Sequence, residues 1–288
     1  MKWEGNRESD NVEDRRGQGF SFGSGSIGIG TIVIALVAGY FFGINPMTII
    51  SMLSGGDAGR ITSMQQGPES RPPADDRMTH FVRTVLADTE DTWTALFRTA
   101  GGQYAAPTLV LFSGMTQTAC GAGQRATGPF YCPADQKVYI DLDFYRLMQQ
   151  RFRVSGEFAQ AYVIAHEVGH HVQNLMGISD KVDNARRQAS KAQANALSVR
   201  LELQADCFAG VWAYHANQAR DIIESGDIES ALDAASAIGD DALQQQAQGH
   251  VVPDSFTHGS SAQRVRWFTR GIQTGHVNQC NTFDARQL

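Results

Sequence analysis

Residues 165–174 read AHEVGHHVQN. They place His166, Glu167 and His170 in an H-E-x-x-H arrangement. Residues four apart lie on the same face of a helix, so both imidazoles can face one metal ion. The glutamate beside the first histidine can then reach a metal-bound water as its general base. Apolar residues precede the motif and a glycine follows it, which predicts a buried helix over residues 156–176.

A catalytic zinc site usually has three protein ligands and one open position for water. The extended motif H-E-x-x-H-x-x-G-x-x-H does not supply the third ligand, because Gln173 and Met176 stand at its glycine and last histidine. The other source is a carboxylate from a later helix. Residues 201–210 read LELQADCFAG, with Glu202 and Asp206 four apart among apolar neighbours.

Buried carboxylates are costly unless they are paired or bound to a metal. We therefore assign Glu202 as the third zinc ligand and Asp206 as the acceptor that orients a histidine ring. The alternatives are a solvated acidic pair on a surface helix and, for the first motif, ordinary core or surface histidines.

The two motifs together resemble a known family. HEVGHHVQ and ELQADCFAG, with GINPMTIISMLSGG at residues 43–56, are similar to the bacterial family described as putative neutral zinc metallopeptidases. The resemblance spans nearly the whole chain and implies a membrane-anchored, zinc-binding peptidase with a zincin-like domain. The spacing of Glu202 and Asp206 also resembles the E-x-x-x-D element of the CAAX prenyl protease and related membrane proteases, in which the glutamate binds zinc.

A third element lies near the end of the chain. That wider group has a His-Pro pair followed by an arginine, and residues 257–268 read THGSSAQRVRWF, with His258, Arg264 and a glycine in place of the proline. The resemblance implies that His258 stabilises the oxyanion of a tetrahedral intermediate. The alternative is that His258 only caps the helix that begins near Ser261.

Apolar spacing around these motifs predicts an α+β fold that is mainly helical, with a small sheet ahead of the central helix. Helices are expected at 79–97, 143–152, 156–176, 180–219, 228–248 and 261–272, and strands at 108–112 and 137–142. Because strand edges in zinc peptidases often bind extended substrates, residues 137–142 are also a candidate for that role. The alternative is an ordinary strand of the sheet.

The N-terminal quarter has a different composition. Residues 27–44 read IGIGTIVIALVAGYFFGI, and eighteen such residues in a helix span about 27 Å, enough to cross a bilayer core. Four basic residues precede this segment (Lys2, Arg7, Arg15 and Arg16) and only Arg60 follows within twenty residues, so the positive-inside rule places the N-terminus in the cytoplasm. A cleaved signal peptide is the rival interpretation.

This pattern divides the chain into four parts. We expect a cytoplasmic segment at 1–26, a transmembrane helix at 27–44, a flexible linker at 45–77 and a metallopeptidase domain at 78–288. The protein would then be a single-pass protein of the inner membrane, with its catalytic domain on the periplasmic or extracytoplasmic side.

Net charge and cysteine content limit which partners and which kinds of site are expected. The net charge is −6 with no dense basic tract, which argues against nucleic acid as a partner. The four cysteines form no C-x-x-C pair and allow three disulfide pairings. We expect Cys120 with Cys132 and Cys207 with Cys280; four free buried thiols are the alternative.

These patterns predict a zinc-dependent hydrolase in which Zn²⁺ is held by His166, His170 and Glu202, with Glu167 as the general base. The family resemblance implies that it cleaves peptide or protein substrates at the membrane and that His258 is a second catalytic group. Two alternatives stay open: a non-catalytic envelope module with a structural zinc, and a zinc hydrolase of a non-peptide cell-wall amide.

Overall fold

The helix predicted around the H-E-x-x-H residues is present in a computed structural model of the protein, where it spans Glu157–Leu175. The structure describes residues 1–16, 76–124, 128–152, 154 and 156–288. The helix ends where Gly177 takes a left-handed conformation at φ 68°, a common helix terminator. The predicted transmembrane helix at 27–44 lies outside the described residues, as does the linker at 45–77 except for its last two residues.

The described elements form a mixed α and β chain. The helices are α1 (Arg77–Thr99), α2 (Asp143–Phe152), α3 (Glu157–Leu175), α4 (Ile178–Gln188), α5 (Lys191–Arg220), α6 (Asp227–Ala237), α7 (Asp240–Gln248) and α8 (Ser261–Thr274). The strands are β1 (Val12–Asp14), β2 (Thr108–Phe112), β3 (Met115–Thr118), β4 (Gly121–Gln124), β5 (Phe130–Cys132) and β6 (Lys137–Asp141). The α+β prediction with a small sheet is confirmed. Among the described residues, no helix combines the length and the apolar character that a bilayer crossing needs.

The main sheet has the strand order β1-β2-β6-β5. Strands β1, β2 and β6 run parallel, and β5 pairs antiparallel with β6. β6 therefore has a hydrogen-bonded neighbour on both sides, and the suggestion that residues 137–142 bind substrate along a free edge is wrong. The edge strand on that side of the sheet is β5, which the sequence analysis did not find because it has only three residues.

Two helices that were predicted as continuous are each divided into two helices in the structure. Residues 180–219 break between α4 and α5. There the Ser190 side chain accepts from the backbone N–H of Gln193, and the Ser190 backbone N–H donates to Gln193 Oε1, which is a capping box at the start of α5. Residues 228–248 break at Gly239, where an added Cβ would lie only 2.4 Å from the nitrogen of Ser261. Apolar periodicity continues across both breaks. The capping residues, and not the hydrophobic pattern, therefore set where each helix ends and the next begins.

Helices α5 and α8 approach each other closely through glycine. A Cβ at Gly210 would lie 2.2 Å from the carbonyl oxygen of Phe268, and one at Gly271 would lie 2.1 Å from that of Cys207. Neither position has room for a side chain. This close contact sets the distance between α5 and α8, and so it positions the buried face of α8 next to the residues of α3 and α5.

Both expected disulfides are present. Cys120 is bonded to Cys132, and Cys207 is bonded to Cys280, which joins α5 to the C-terminal segment. All four cysteines of the chain are therefore paired, and the free-thiol alternative does not apply.

The N-terminal residues do not form a separate segment, contrary to the division at residues 26 and 78. The described residues all belong to one compact unit. β1 adds a parallel strand to β2, with Val12 opposite Leu109. Trp3 is 5% exposed and packs edge-on against Phe81 of α1 at a ring distance of 5.5 Å. The folded domain therefore includes residues 1–16, which we call the N-terminal arm.

Candidate metal site

The three predicted ligands lie together between α3 and α5. The nitrogen and oxygen atoms offered by His166, His170 and Glu202 all lie within 4.8 Å of one another. His166 Nε2 is 3.2 Å from Glu202 Oε2, and His170 Nε2 is 3.4 Å from Glu202 Oε1. Two imidazoles and one carboxylate facing a common point are the donor set of a catalytic zinc site.

Asp206 holds the ring of His166 in this orientation. Its Oδ1 lies 2.8 Å from His166 Nδ1, which leaves Nε2 directed toward Glu202. Glu202 and Asp206 are one helical turn apart on α5, so one carboxylate faces the metal position while the other faces the far side of the same ring. A carboxylate in this second position fixes the histidine tautomer and makes the ligand more basic.

Asp206 is itself fully buried and is held by two partners from other helices. Tyr162 Oη of α3 donates to Asp206 Oδ1 at 2.6 Å. Arg264 of α8 donates from Nε to Oδ2 and from Nη2 to Oδ1, both at 2.9 Å, which is a bidentate ion pair. From the sequence, Arg264 carries no assigned role, and Tyr162 is one of the residues that precede the motif. The position of Tyr162 four residues before His166 is the signal that could have placed it on this face.

Gln173 holds His170 in a similar way. Its Oε1 lies 2.9 Å from His170 Nδ1, and its Nε2 donates to the carbonyl oxygen of Leu201 at 2.7 Å. Gln173 is fully buried. In the sequence Gln173 stands out only as a departure from the longer zinc motif, although its spacing of three residues from His170 places it on the same side of the helix.

The charges of the site favour a bound cation. Burial lowers the pKa of His166, but the carboxylates of Asp206 and Glu202 outweigh burial and raise it to about 10. Burial raises the pKa of Glu202, but His170 and His166 outweigh it and hold that pKa well below its usual range. These shifts mean that the cluster stabilises added positive charge. A Zn²⁺ ion, with imidazole and carboxylate ligands, fits both the donor set and this potential.

Glu167 lies beside this cluster and is 8% exposed. Within the described part of the chain its carboxylate has no hydrogen-bond partner. Burial is the main cause that raises its pKa, and the nearby Glu202 carboxylate adds to the effect. The side chain is therefore available to a water molecule rather than committed to the fold.

His258 lies in the loop before α8, and its side chain is 52% exposed. Its Nδ1 is 3.1 Å from Asp240 Oδ1, while Asp240 Oδ2 accepts the backbone N–H groups of residues 257, 258 and 259. The bond to Asp240 raises the pKa of His258, and the charge of Glu202 contributes in the same direction. Ser260 caps α8 through a capping box with Gln263, so capping does not explain His258.

Comparison with known proteins supports the same assignment. The family described as "Putative neutral zinc metallopeptidase" matches residues 1–283. The chain is 53% identical to "Uncharacterized protein YpfJ" of Escherichia coli K12, over 98% of this chain and 99% of that protein. It is 43% identical to "Uncharacterized protein Rv2575" of Mycobacterium tuberculosis H37Rv, over 72% of this chain and 73% of that protein. No solved structure gives a significant match. The chain belongs to the putative neutral zinc metallopeptidase family.

Proposed function

We propose that the protein is a zinc-dependent peptidase that hydrolyses peptide bonds with a glutamate as general base. The observation that carries this proposal is the arrangement of His166, His170 and Glu202 around one point, with Glu167 close enough to feel their charges. Among the described residues the Glu167 carboxylate has no hydrogen-bond partner. A structural zinc site needs no such additional carboxylate, because its four ligand positions are filled by the protein.

The residues of the site have complementary tasks. A zinc ion bound by His166, His170 and Glu202 supplies the positive charge that makes a water more acidic and polarises a carbonyl group. Glu167 accepts a proton from the attacking water as the water oxygen bonds to the peptide carbonyl carbon. The same carboxyl group then donates that proton to the amine nitrogen as the C–N bond breaks. His258, held toward its protonated form by Asp240, donates a hydrogen bond to the developing oxyanion.

Edge strand β5 supports a peptide as the substrate. One side of β5 is paired with β6, and no described strand pairs with the other side. The strand lies against α3, since Tyr131 Oη is 3.0 Å from His171 Nδ1 and accepts from Asn174 Nδ2 at 3.1 Å. An extended substrate can add to such an edge through main-chain hydrogen bonds. A small cell-wall amide offers few such groups, so this edge favours the peptidase over the non-peptide hydrolase.

The same proposal includes a membrane location. The apolar residues 27–44 support contact with a lipid bilayer. The two disulfides support an oxidising compartment for the folded unit.

The test compares Glu167→Gln with the wild-type full-length chain purified in detergent. We expect one zinc per chain in both proteins and hydrolysis of unfolded casein only in the wild type. Loss of the general base should lower kcat by about 10²–10⁴-fold. Glu229→Gln is the matched control, because Glu229 is an exposed glutamate of α6.

Three results would contradict the proposal. Casein hydrolysis by Glu167→Gln at the wild-type rate would remove the general base from the mechanism. Zinc bound by a wild type that cleaves neither casein nor peptidoglycan fragments would favour the structural module. Cleavage of peptidoglycan amides without cleavage of casein would favour the non-peptide hydrolase.

A further inference from the structure

The N-terminal arm is an integral part of the folded unit. Trp3 is buried in the main core, and its Nε1 donates to Glu157 Oε2 at 2.9 Å. Ser9 Oγ donates to Glu90 Oε1 of α1 at 2.6 Å, and both residues are buried. Together with the pairing of β1 and β2, these contacts connect the arm to α1, α3 and the sheet. The arm and the unit must therefore occupy the same compartment when the protein is folded.

The basic residues of the arm form ion pairs within this unit. Lys2 Nζ lies 2.6 Å from Asp221, and Arg7 Nη2 lies 2.9 Å from Glu90. Arg15 pairs with Glu13, and Arg16 pairs with both Asp14 and Asp76. These are the four residues that the positive-inside rule counted as evidence for a cytoplasmic N-terminus. In the structure these residues form ion pairs that stabilise the fold. Their number therefore says little about the orientation of the chain in a membrane.

Arg16 and Asp76, the described residues on either side of 17–75, are in contact within the unit. Arg16, the last described residue of the arm, places Nη1 2.7 Å from Oδ2 of Asp76, the next described residue. Its Nη2 donates to Thr79 Oγ1 at 2.7 Å, and its side chain is only 3% exposed. Arg16 and Asp76 therefore lie on the same side of any membrane.

We propose that the N-terminal arm and the metal site lie on the same, extracytoplasmic side of the membrane. This arrangement replaces the single-pass orientation expected from the sequence, in which residue 1 and residue 288 lie on opposite sides. The disulfides assign the side, because both belong to the unit that contains the arm. The inference does not depend on hydrolytic activity.

Thiol labelling tests this topology in the full-length protein. Asp10→Cys places a thiol at an exposed position of the arm, and Gln248→Cys places one at an exposed position at the end of α7. The four native cysteines are in disulfides, so the wild-type chain measures the background. Spheroplasts are treated with a membrane-impermeant maleimide before and after permeabilisation with detergent.

We expect both variants to be labelled to the same extent before permeabilisation, with no further gain afterwards. Labelling of Gln248→Cys alone in intact spheroplasts would restore the single-pass orientation and overturn the proposal. Protection of both thiols until permeabilisation would place the unit in the cytoplasm, which overturns it as well.

Discussion

The metal site and the N-terminal arm are assembled in different ways. The site uses residues close in sequence, with His166, Glu167 and His170 on one helix and Glu202 and Asp206 one turn apart on another. The arm is held by contacts over long separations, such as Lys2 with Asp221 and Trp3 with Glu157. Short spacings leave a readable pattern in a sequence, and long-range contacts do not. We therefore expect substitutions in the arm to change stability alone, and substitutions in the site to change metal binding as well.

The largest expected effect comes from Asp206→Asn, which changes the site and the core together. The substitution leaves the buried charge of Arg264 without its partner and weakens the bond that orients His166. We expect a loss of about 3–5 kcal/mol in the free energy of unfolding. Zinc affinity should fall about 10–100-fold. Denaturant unfolding and competition with a zinc chelator measure the two effects.

Asp233→Asn is the control for this substitution, since Asp233 is an exposed aspartate of α6. It should change neither quantity. If Asp206→Asn kept wild-type zinc affinity, Asp206 would not act through the ring of His166.

Trp3→Ala tests the N-terminal arm rather than the metal site. Removing this buried indole should leave a cavity and lower the free energy of unfolding by about 3–5 kcal/mol. Zinc affinity of the folded protein should stay unchanged, since the hydrogen-bond and ring contacts of Trp3 within the described residues are with Glu157, Phe81 and Arg77, none of which belongs to the site. Trp3→Phe should restore part of the stability because it refills part of the space. A change in zinc affinity larger than twofold would show that the arm acts on the site.

The sequence predicted most of the helices because apolar residues recur along them, and it predicted Glu202 because a buried carboxylate among apolar residues needs a partner. It did not predict β1, because one apolar and two acidic residues are too few to show an alternating pattern. Gln173 and Tyr162 were missed for another reason. Spacing alone places both on the same face of α3 as the histidines. Their hydrogen bonds to Asp206 and to the carbonyl oxygen of Leu201 form only when α3 packs against α5.

Arg16→Gln probes the point where the arm meets α1, and its effect should depend on pH. Burial raises the pKa of Asp14 and of Asp76, but hydrogen bonds from Arg16 outweigh burial and lower both below the usual value of about 3.9. The ion pairs therefore stabilise the fold above that value, and their contribution is lost as the pH falls through the lowered pKa values. At pH 7 the substitution should cost about 1.5–3 kcal/mol.

The difference in unfolding free energy between Arg16→Gln and the wild type should shrink toward zero as the pH is lowered below about 4. Arg98→Gln, at an exposed arginine in the last turn of α1, should show no such difference at any pH. A constant difference between pH 7 and pH 3 would mean that Arg16 acts by packing rather than by charge.

The smallest expected change is a shift in the pH profile of the site caused by Asp240→Asn. The amide oxygen of asparagine can still accept the three backbone N–H groups that Asp240 Oδ2 accepts, so the loop should keep its shape. The neutral amide cannot stabilise a protonated His258 as the carboxylate does. The remaining charges that act on His258 are Glu202, which raises its pKa, and Arg264, which lowers it. We therefore expect the pKa of His258 to fall in this variant.

If protonated His258 holds the oxyanion, kcat/KM must decline as the pH rises through the pKa of His258. Asp240→Asn should move that decline to lower pH, while the rate on the acidic side of the profile stays near wild type. His258→Gln should give a lower rate without this decline, since the titrating group is gone. An alkaline decline that stays in place in both variants would belong to another group and would leave His258 as part of the loop that Asp240 organises.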